Sequence, residues 1–249
     1  MIEITFWYLF SVIGAIILSW RYSHIENSSE SSASFKNKIN IKGTIALMSL
    51  LVLIFFILAE SGYQNTQTDF RKLLGVYNSD IGYDFLYKII TNNFVHADKN
   101  HLVENLMLLS VCAIYENRVG IVRFFMVFCL GCLISSLSVI FIPYEIISSV
   151  GASGGIFGLL AGVLLDGKIS YVRKARSLQM KGKGHLFLAI ALLVTSYFII
   201  ELDSNGNVNH IAHLLGAVAG TLFVLLTAKL VPPATLYQQL RIKKETPLQ

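Results

Sequence analysis

Three short stretches carry side chains that could together attack a carbonyl. Gly151-Ala152-Ser153-Gly154-Gly155 sets one hydroxyl among small residues. Asn209-His210-Ile211-Ala212-His213 supplies two imidazoles, and His96-Ala97-Asp98-Lys99-Asn100-His101 leads into a segment with Asn105. A serine hydroxyl is a weak nucleophile until a base takes its proton, and neutral imidazole is the usual base near pH 7. The oxyanion that follows attack needs preorganised donors, each worth about a hundred- to a thousandfold in rate. Asn105 lies four residues after His101, so on a helix both side chains project from one face. They are candidate oxyanion donors beside the Ser153 backbone N–H.

The elements that must position these groups follow from composition. Of 249 residues, 54% are hydrophobic and only 14% are charged, where a soluble domain usually holds about 25% charged residues. Much of the surface must face lipid, which makes the chain a polytopic membrane protein in contact with the bilayer. The net charge of +5 is not a nucleic-acid signal, because Lys and Arg sit between the apolar runs as topology determinants do. Those runs fall at 4–20, 43–59, 101–115, 121–142, 150–166, 185–202 and 209–230. Each approaches the roughly 17–25 residues that a helix needs to cross the bilayer, and the 101–115 run, with Glu104 and Asn105, is the weakest. The run at 4–20 has neither a basic leader nor a small-residue cleavage site, so it reads as a retained transmembrane helix.

Basic residues crowd alternate connections. Lys168, Arg173, Lys174, Arg176, Lys181 and Lys183 fill one of them, while 143–149 and 203–208 hold none. The pattern predicts an all-α bundle of seven spans with the N-terminus outside and the C-terminus in the cytoplasm. It divides the chain into an N-terminal helix (1–22), a Ser- and Asn-rich polar linker (23–42), a six-helix core (43–230) and a cytoplasmic tail (231–249). The long 60–100 loop is rich in aromatics and is expected to fold onto the membrane surface. In this arrangement His101, Ser153 and His213 all lie within about one and a half turns of an outward-facing helix end, at one depth. Gly154, Gly158 and Gly162 share one helix face, and Gly216 and Gly220 share another with His213. Small faces let helix backbones approach closely, which predicts packing that brings Ser153 to His213.

These residues resemble a known family. Gly151-Ala152-Ser153-Gly154 looks like the G-x-S-G motif of rhomboid proteases. His96-x4-His101-x3-Asn105 is similar to the H-x4-H-x3-N of the family's second core helix. Ala212-His213-x2-Gly216-x3-Gly220 resembles the A-H-x-x-G-x3-G of its sixth. The resemblance covers residues 43 to 230 and implies a Ser–His dyad with no acidic third member. Ser153 is then the nucleophile and His213 the base, while His101, Asn105, the Ser153 amide and Gly151 belong to the oxyanion and substrate-binding group. It implies hydrolysis of peptide bonds in or beside transmembrane segments of other proteins, with no metal or cofactor. His210 competes for the base role, but His213 has the family spacing to both glycines and lies deeper. One departure is a loop before the second core helix without tryptophan, where Phe70-Arg71 is the nearest echo of the family's Trp-Arg pair. Another is Glu104, which would either raise a neighbouring histidine's pKa or face a water-filled cavity.

The other polar groups have plainer readings. Asp98 is expected as an N-cap, Glu116 and Arg118 as charges that stabilise a turn, and His96 as a structural loop group. His185 reads as interfacial, and His24 carries no signal. Cys112, Cys129 and Cys132 are expected as free, buried thiols, since no second ligand pair accompanies the C-x-x-C spacing. Rival classes are an inactive rhomboid-like protein that binds transmembrane segments, and a small transporter. Zinc and aspartyl intramembrane proteases are disfavoured, for there is no H-E-x-x-H and no aspartate pair on two spans. The short cytoplasmic parts point to a bacterial inner membrane.

Overall fold

The structure, a computed structural model, describes residues 2–27, 39–59, 73–76, 84–141, 150–174 and 210–227. The run at 185–202, the tail, the linker at 28–38 and Phe70-Arg71 lie outside the described residues. The described elements are helical: α1 (Ile2–Asn27), α2 (Lys42–Leu58), α3 (Phe85–Thr91) with a 3-10 turn at Asn92–Phe94, α4 (Lys99–Val119), α5 (Ile121–Ser136), α6 (Ser138–Phe141), α7 (Ser153–Lys174) and α8 (His210–Thr227). Among the described residues two stretches, Ile2–Ser23 and Ile121–Ile140, are long and apolar enough to cross a membrane. The apolar parts of α2, α7 and α8 are shorter.

The helix that hydropathy ranks weakest is the centre of the bundle. On α4, Leu102, Leu106, Leu109, Cys112 and Ala113 are fully buried, and α1, α2, α5 and α7 all pack around it. Its polar residues can therefore be enclosed by protein, where lipid would exact several kcal/mol for each unsatisfied group. α4 starts where Asp98 Oδ1 accepts the His101 N–H at 2.9 Å, an N-cap as expected. It stops at Gly120, whose N–H donates to the Glu116 carbonyl at 2.8 Å. Gly120 has φ +85, a conformation that residues with a Cβ rarely adopt, and by itself it joins α4 to α5.

Glu116 corrects an expectation. It is not a turn charge but a fully buried carboxylate. Its oxygens accept from the Gly43 N–H at 2.8 Å, the Thr44 N–H at 2.6 Å and the Thr44 hydroxyl at 2.7 Å. The physical reason lies at the start of α2, where Ile41 offers no side-chain cap. The orphan N–H groups of that helix end must find an acceptor, and the α4 carboxylate supplies it. Arg118 instead reaches the Tyr22 hydroxyl on α1 at 2.9 Å.

α1 runs parallel to α4 and is tied to it at both ends. Glu3 pairs with Lys99 at 2.8 Å, and Ser23 accepts from Asn117 Nδ2 at 2.8 Å. Beyond Ile4, the buried face of α1 between these ties is made of small residues, Ser11, Ala15 and Ser19, and Gly14 meets Ser110 of α4. Small side chains let the two backbones come together along the whole contact.

Candidate active site

Ser153 is the first residue of α7, and His213 stands on the first turn of α8. The two helices meet through glycines. A Cβ on Gly216 would strike the Gly154 carbonyl, and one on Gly220 would strike the Gly158 carbonyl. Gly154 and Gly158 thus play the predicted part, but Gly162 does not: it lies under the Tyr115 ring of α4, 3.0 Å from the nearest ring atom to a would-be Cβ. A second close contact was not foreseen. Gly131 of α5 packs on the Gly154–Gly155 backbone, with a would-be Cβ 2.9 Å from the Gly154 oxygen.

At this crossing His213 Nε2 lies 2.9 Å from Ser153 Oγ. The imidazole ring is stacked on Phe157, with centroids 4.4 Å apart and planes 10° apart. Phe157 is one turn beyond Ser153 on the same helix, so α7 carries both the hydroxyl and the surface that orients its partner ring. With Nε2 facing the hydroxyl as acceptor, the ring proton belongs on Nδ1. His210 opens α8, and its side chain lies outside the described residues.

The other expected residues converge on the turn before Ser153. Gly151 has φ +108, and a Cβ there would sit 2.5 Å from His101 Cε1 and 3.5 Å from Asn105 Nδ2. Only a glycine meets both the backbone conformation and the close approach of the His101 ring. Asn105 is 1% exposed, and its Nδ2 has no hydrogen-bond partner among the described residues. A buried donor left open costs about 1–3 kcal/mol, a cost that an oxyanion beside Ser153 would remove. The first intrahelical bond of α7 runs from the Ile156 N–H to the Ala152 carbonyl at 3.1 Å. The N–H groups of Ser153, Gly154 and Gly155 therefore lack an acceptor within the helix. Together with the helix dipole they favour negative charge at this end.

His96, 1% exposed, stands edge-on to His101 with ring centroids 5.2 Å apart. Burial, reinforced by repulsion from a charged His101, holds its imidazole well below the ordinary histidine range. Glu104 is half-buried on α4 beside Asn105. Cys112 and Cys132 are buried free thiols, but Cys129 is exposed on the outer side of α5, against expectation. It lies one residue past the buried Val127-Phe128 pair, about 100° further round the helix and beyond the edge of the buried stripe. Among the described residues no three His, Cys, Asp or Glu side chains group as a metal site would require.

The sequence carries no direct signal for Phe157, although its i+4 spacing from Ser153 is a usable one. It also did not single out Tyr87-Lys88, an aromatic–basic pair on α3. Lys88 is 5% exposed, a burial rare for lysine.

Apolar helices that bring a serine and an imidazole together at one end of a bundle define a class, membrane proteins with a hydrolase-like site. The family model described as the Rhomboid domain matches residues 84–230, and this chain belongs to the rhomboid family. It is similar to YdcA of Bacillus subtilis, a rhomboid protein provisionally named a protease: 31% identity over 186 residues, covering 73% of this chain and 85% of that protein. It is 26% identical over 178 residues to Rhomboid-like protease 3 of Toxoplasma gondii, covering 70% of this chain and 64% of that one. Rhomboid-like protein 11 of the Arabidopsis thaliana chloroplast is 31% identical over 162 residues, covering 62% of this chain and 57% of its own length. The chain thus spans less than two thirds of the last two relatives. Family and apolar helices together make it an integral membrane protein.

Proposed function

We propose that this chain is an intramembrane serine endopeptidase that cuts peptide bonds in or next to the transmembrane segments of other membrane proteins. The observation that carries the reading is the 2.9 Å contact between Ser153 Oγ and His213 Nε2. His213 takes the Ser153 proton as Oγ bonds to the scissile carbonyl carbon. The oxyanion accepts from the Ser153 N–H, Asn105 Nδ2 and His101, while Gly151 shapes the pocket beside them. His213 then gives its proton to the leaving nitrogen as the C–N bond breaks. Water, deprotonated by the same imidazole, hydrolyses the acyl-serine. No cofactor enters this sequence. The catalytic core sits within seven spans, N-terminus outside and C-terminus in the cytoplasm, in a bacterial inner membrane.

The test is labelling of detergent-purified protein by a fluorophosphonate probe, followed by cleavage of a reporter transmembrane segment. Wild type should label and cleave, and Ser153→Ala should do neither. His213→Ala should lose about a hundred- to ten-thousandfold, the usual worth of a general base. His210→Ala should stay active; if it alone lost labelling, the base would be His210. Folded wild type that neither labels nor cleaves would point to a non-catalytic binder of transmembrane segments.

A further inference from the structure

The segment from α3 to His96 reaches the site through a set of buried side chains to which the reaction assigns no part. Asn92 and Asn93 in the 3-10 turn are 1% and 3% exposed, and Ser136 at the end of α5 is fully buried. Ser136 Oγ lies 3.0 Å from Asn92 Nδ2 and 3.3 Å from Asn93 Nδ2. It is also 2.8 Å from the Cys132 carbonyl and 3.2 Å from that of Ile89. A hydroxyl has one proton and two lone pairs. Ser136 therefore accepts from Asn92 Nδ2, the nearer amide, and donates its proton to a carbonyl, the nearest being that of Cys132. The two protons of Asn93 Nδ2 go to its nearer acceptors, Asn92 Oδ1 at 2.6 Å and the Ile89 carbonyl at 2.8 Å. Two carboxamides and one hydroxyl, with the carbonyls of Cys132 and Ile89, thus pin the turn to α5.

One connection of the pinned turn leads to the site. The Asn92 carbonyl accepts the Gly151 N–H at 2.8 Å. That bond sets the peptide plane before Gly151, whose positive φ and contact with the His101 ring fix the approach to Ser153 two residues on. A shift of the turn would move Gly151 relative to His101 and Asn105, although no side chain of the network is in the Ser153–His213 pair. Buried polar networks hold such positions rigidly when all their members are satisfied, and displacements near 1 Å at a reacting centre cost about a hundredfold.

We infer that Asn92, Asn93 and Ser136 are positioning residues that index the Gly151 turn against α5, and so fix the spacing between the oxyanion donors and Ser153. This rests on the reading of Ser153 as nucleophile. The test is steady-state cleavage of the reporter segment, with fluorophosphonate labelling rates and thermal unfolding, for Ser136→Ala, Asn92→Ala and Ser136→Thr. Each alanine variant should lower kcat about tenfold or more with KM within about twofold, and slow labelling in proportion. The threonine, which keeps the hydroxyl, should restore most of the rate. Added to Asn105→Ala, Ser136→Ala should cost less than about threefold more, because the pocket it positions has already lost a donor. A fall in melting temperature at unchanged kcat would overturn the inference, as would a fully multiplicative loss in the Asn105→Ala background. Loss of cooperative unfolding in both alanine variants would make the network a folding element and overturn it too. Folded wild type that fails to label would remove the nucleophile reading and this inference together.

Discussion

Ser153 and His213 are held by their neighbours more than by each other. The imidazole lies flat on Phe157, and the hydroxyl rides on the first turn of the helix that carries that ring. Phe157→Ala should leave the fold intact but free the His213 ring to rotate. We expect kcat to fall about ten- to a hundredfold, the cost of misaligned reacting groups, with KM little changed and Phe157→Tyr near wild type in the same assay. His96 makes a second prediction at this scale. Its folded-state pKa is depressed by burial first and by His101 second. Below about pH 6.5, the ordinary histidine value, the unfolded chain takes up a proton that the folded chain refuses. Stability is therefore full above that pH and falls as the pH drops through it, by up to about 1.4 kcal/mol per pH unit. Thermal unfolding in detergent from about pH 7.5 to 5 should show this slope, and His96→Gln should flatten it.

Between elements, two contacts decide where the helices stand. Gly216 meets the Gly154 carbonyl with no room for a methyl group, so Gly216→Ala must push α8 from α7 and draw His213 away from Ser153. Activity should fall about a hundredfold, and the fluorophosphonate labelling rate should fall with it. A normal labelling rate would mean that the helices tolerate the shift. Glu116 serves three donors at the buried start of α2. Glu116→Ala leaves them unsatisfied, and the cost should be about 3–5 kcal/mol. Thermal unfolding of that variant, far from the dyad in function, should register the loss.

At the scale of the whole molecule, α1 joins the bundle as a parallel companion of α4, tied by Glu3–Lys99 at one end and Ser23–Asn117 at the other. Its direction relative to α4 is thereby fixed within the protein. Its direction in the membrane is argued from the basic residues crowding 167–184 and the tail, by the preference of Lys and Arg for the cytoplasmic side. A cysteine added before residue 1 should react with a membrane-impermeant thiol reagent in intact cells. One added after residue 249 should react only after lysis, and the opposite pattern would reverse the proposed orientation.

Local periodicity was enough to read much of this protein. Apolar runs located α1, α2, α4, α5, α7 and α8, because burial or lipid contact over a span's length is written in consecutive residues. The i+4 step put His101 and Asn105 on one face, and the glycine spacing on α7 and α8 announced their close packing. Such signals act over one or two turns of a single helix. What they leave open is which face meets which partner. Glu116 and Gly43 are 73 residues apart, so nothing near Glu116 in the chain marks it as the cap of α2. Gly162 shares a stripe with Gly154 and Gly158, yet lies under Tyr115, because three helices cross there and a stripe does not say where one neighbour ends. Ser136, Asn92 and Phe157 are unremarkable as residue types in their segments, and acquire a role only beside groups brought in from elsewhere in the chain. Residue types and spacing determined what chemistry was available and on which helices. The crossing of those helices, set by backbone-to-backbone contact at glycines and by buried hydrogen bonds that had to be closed, decided which side chains stand together.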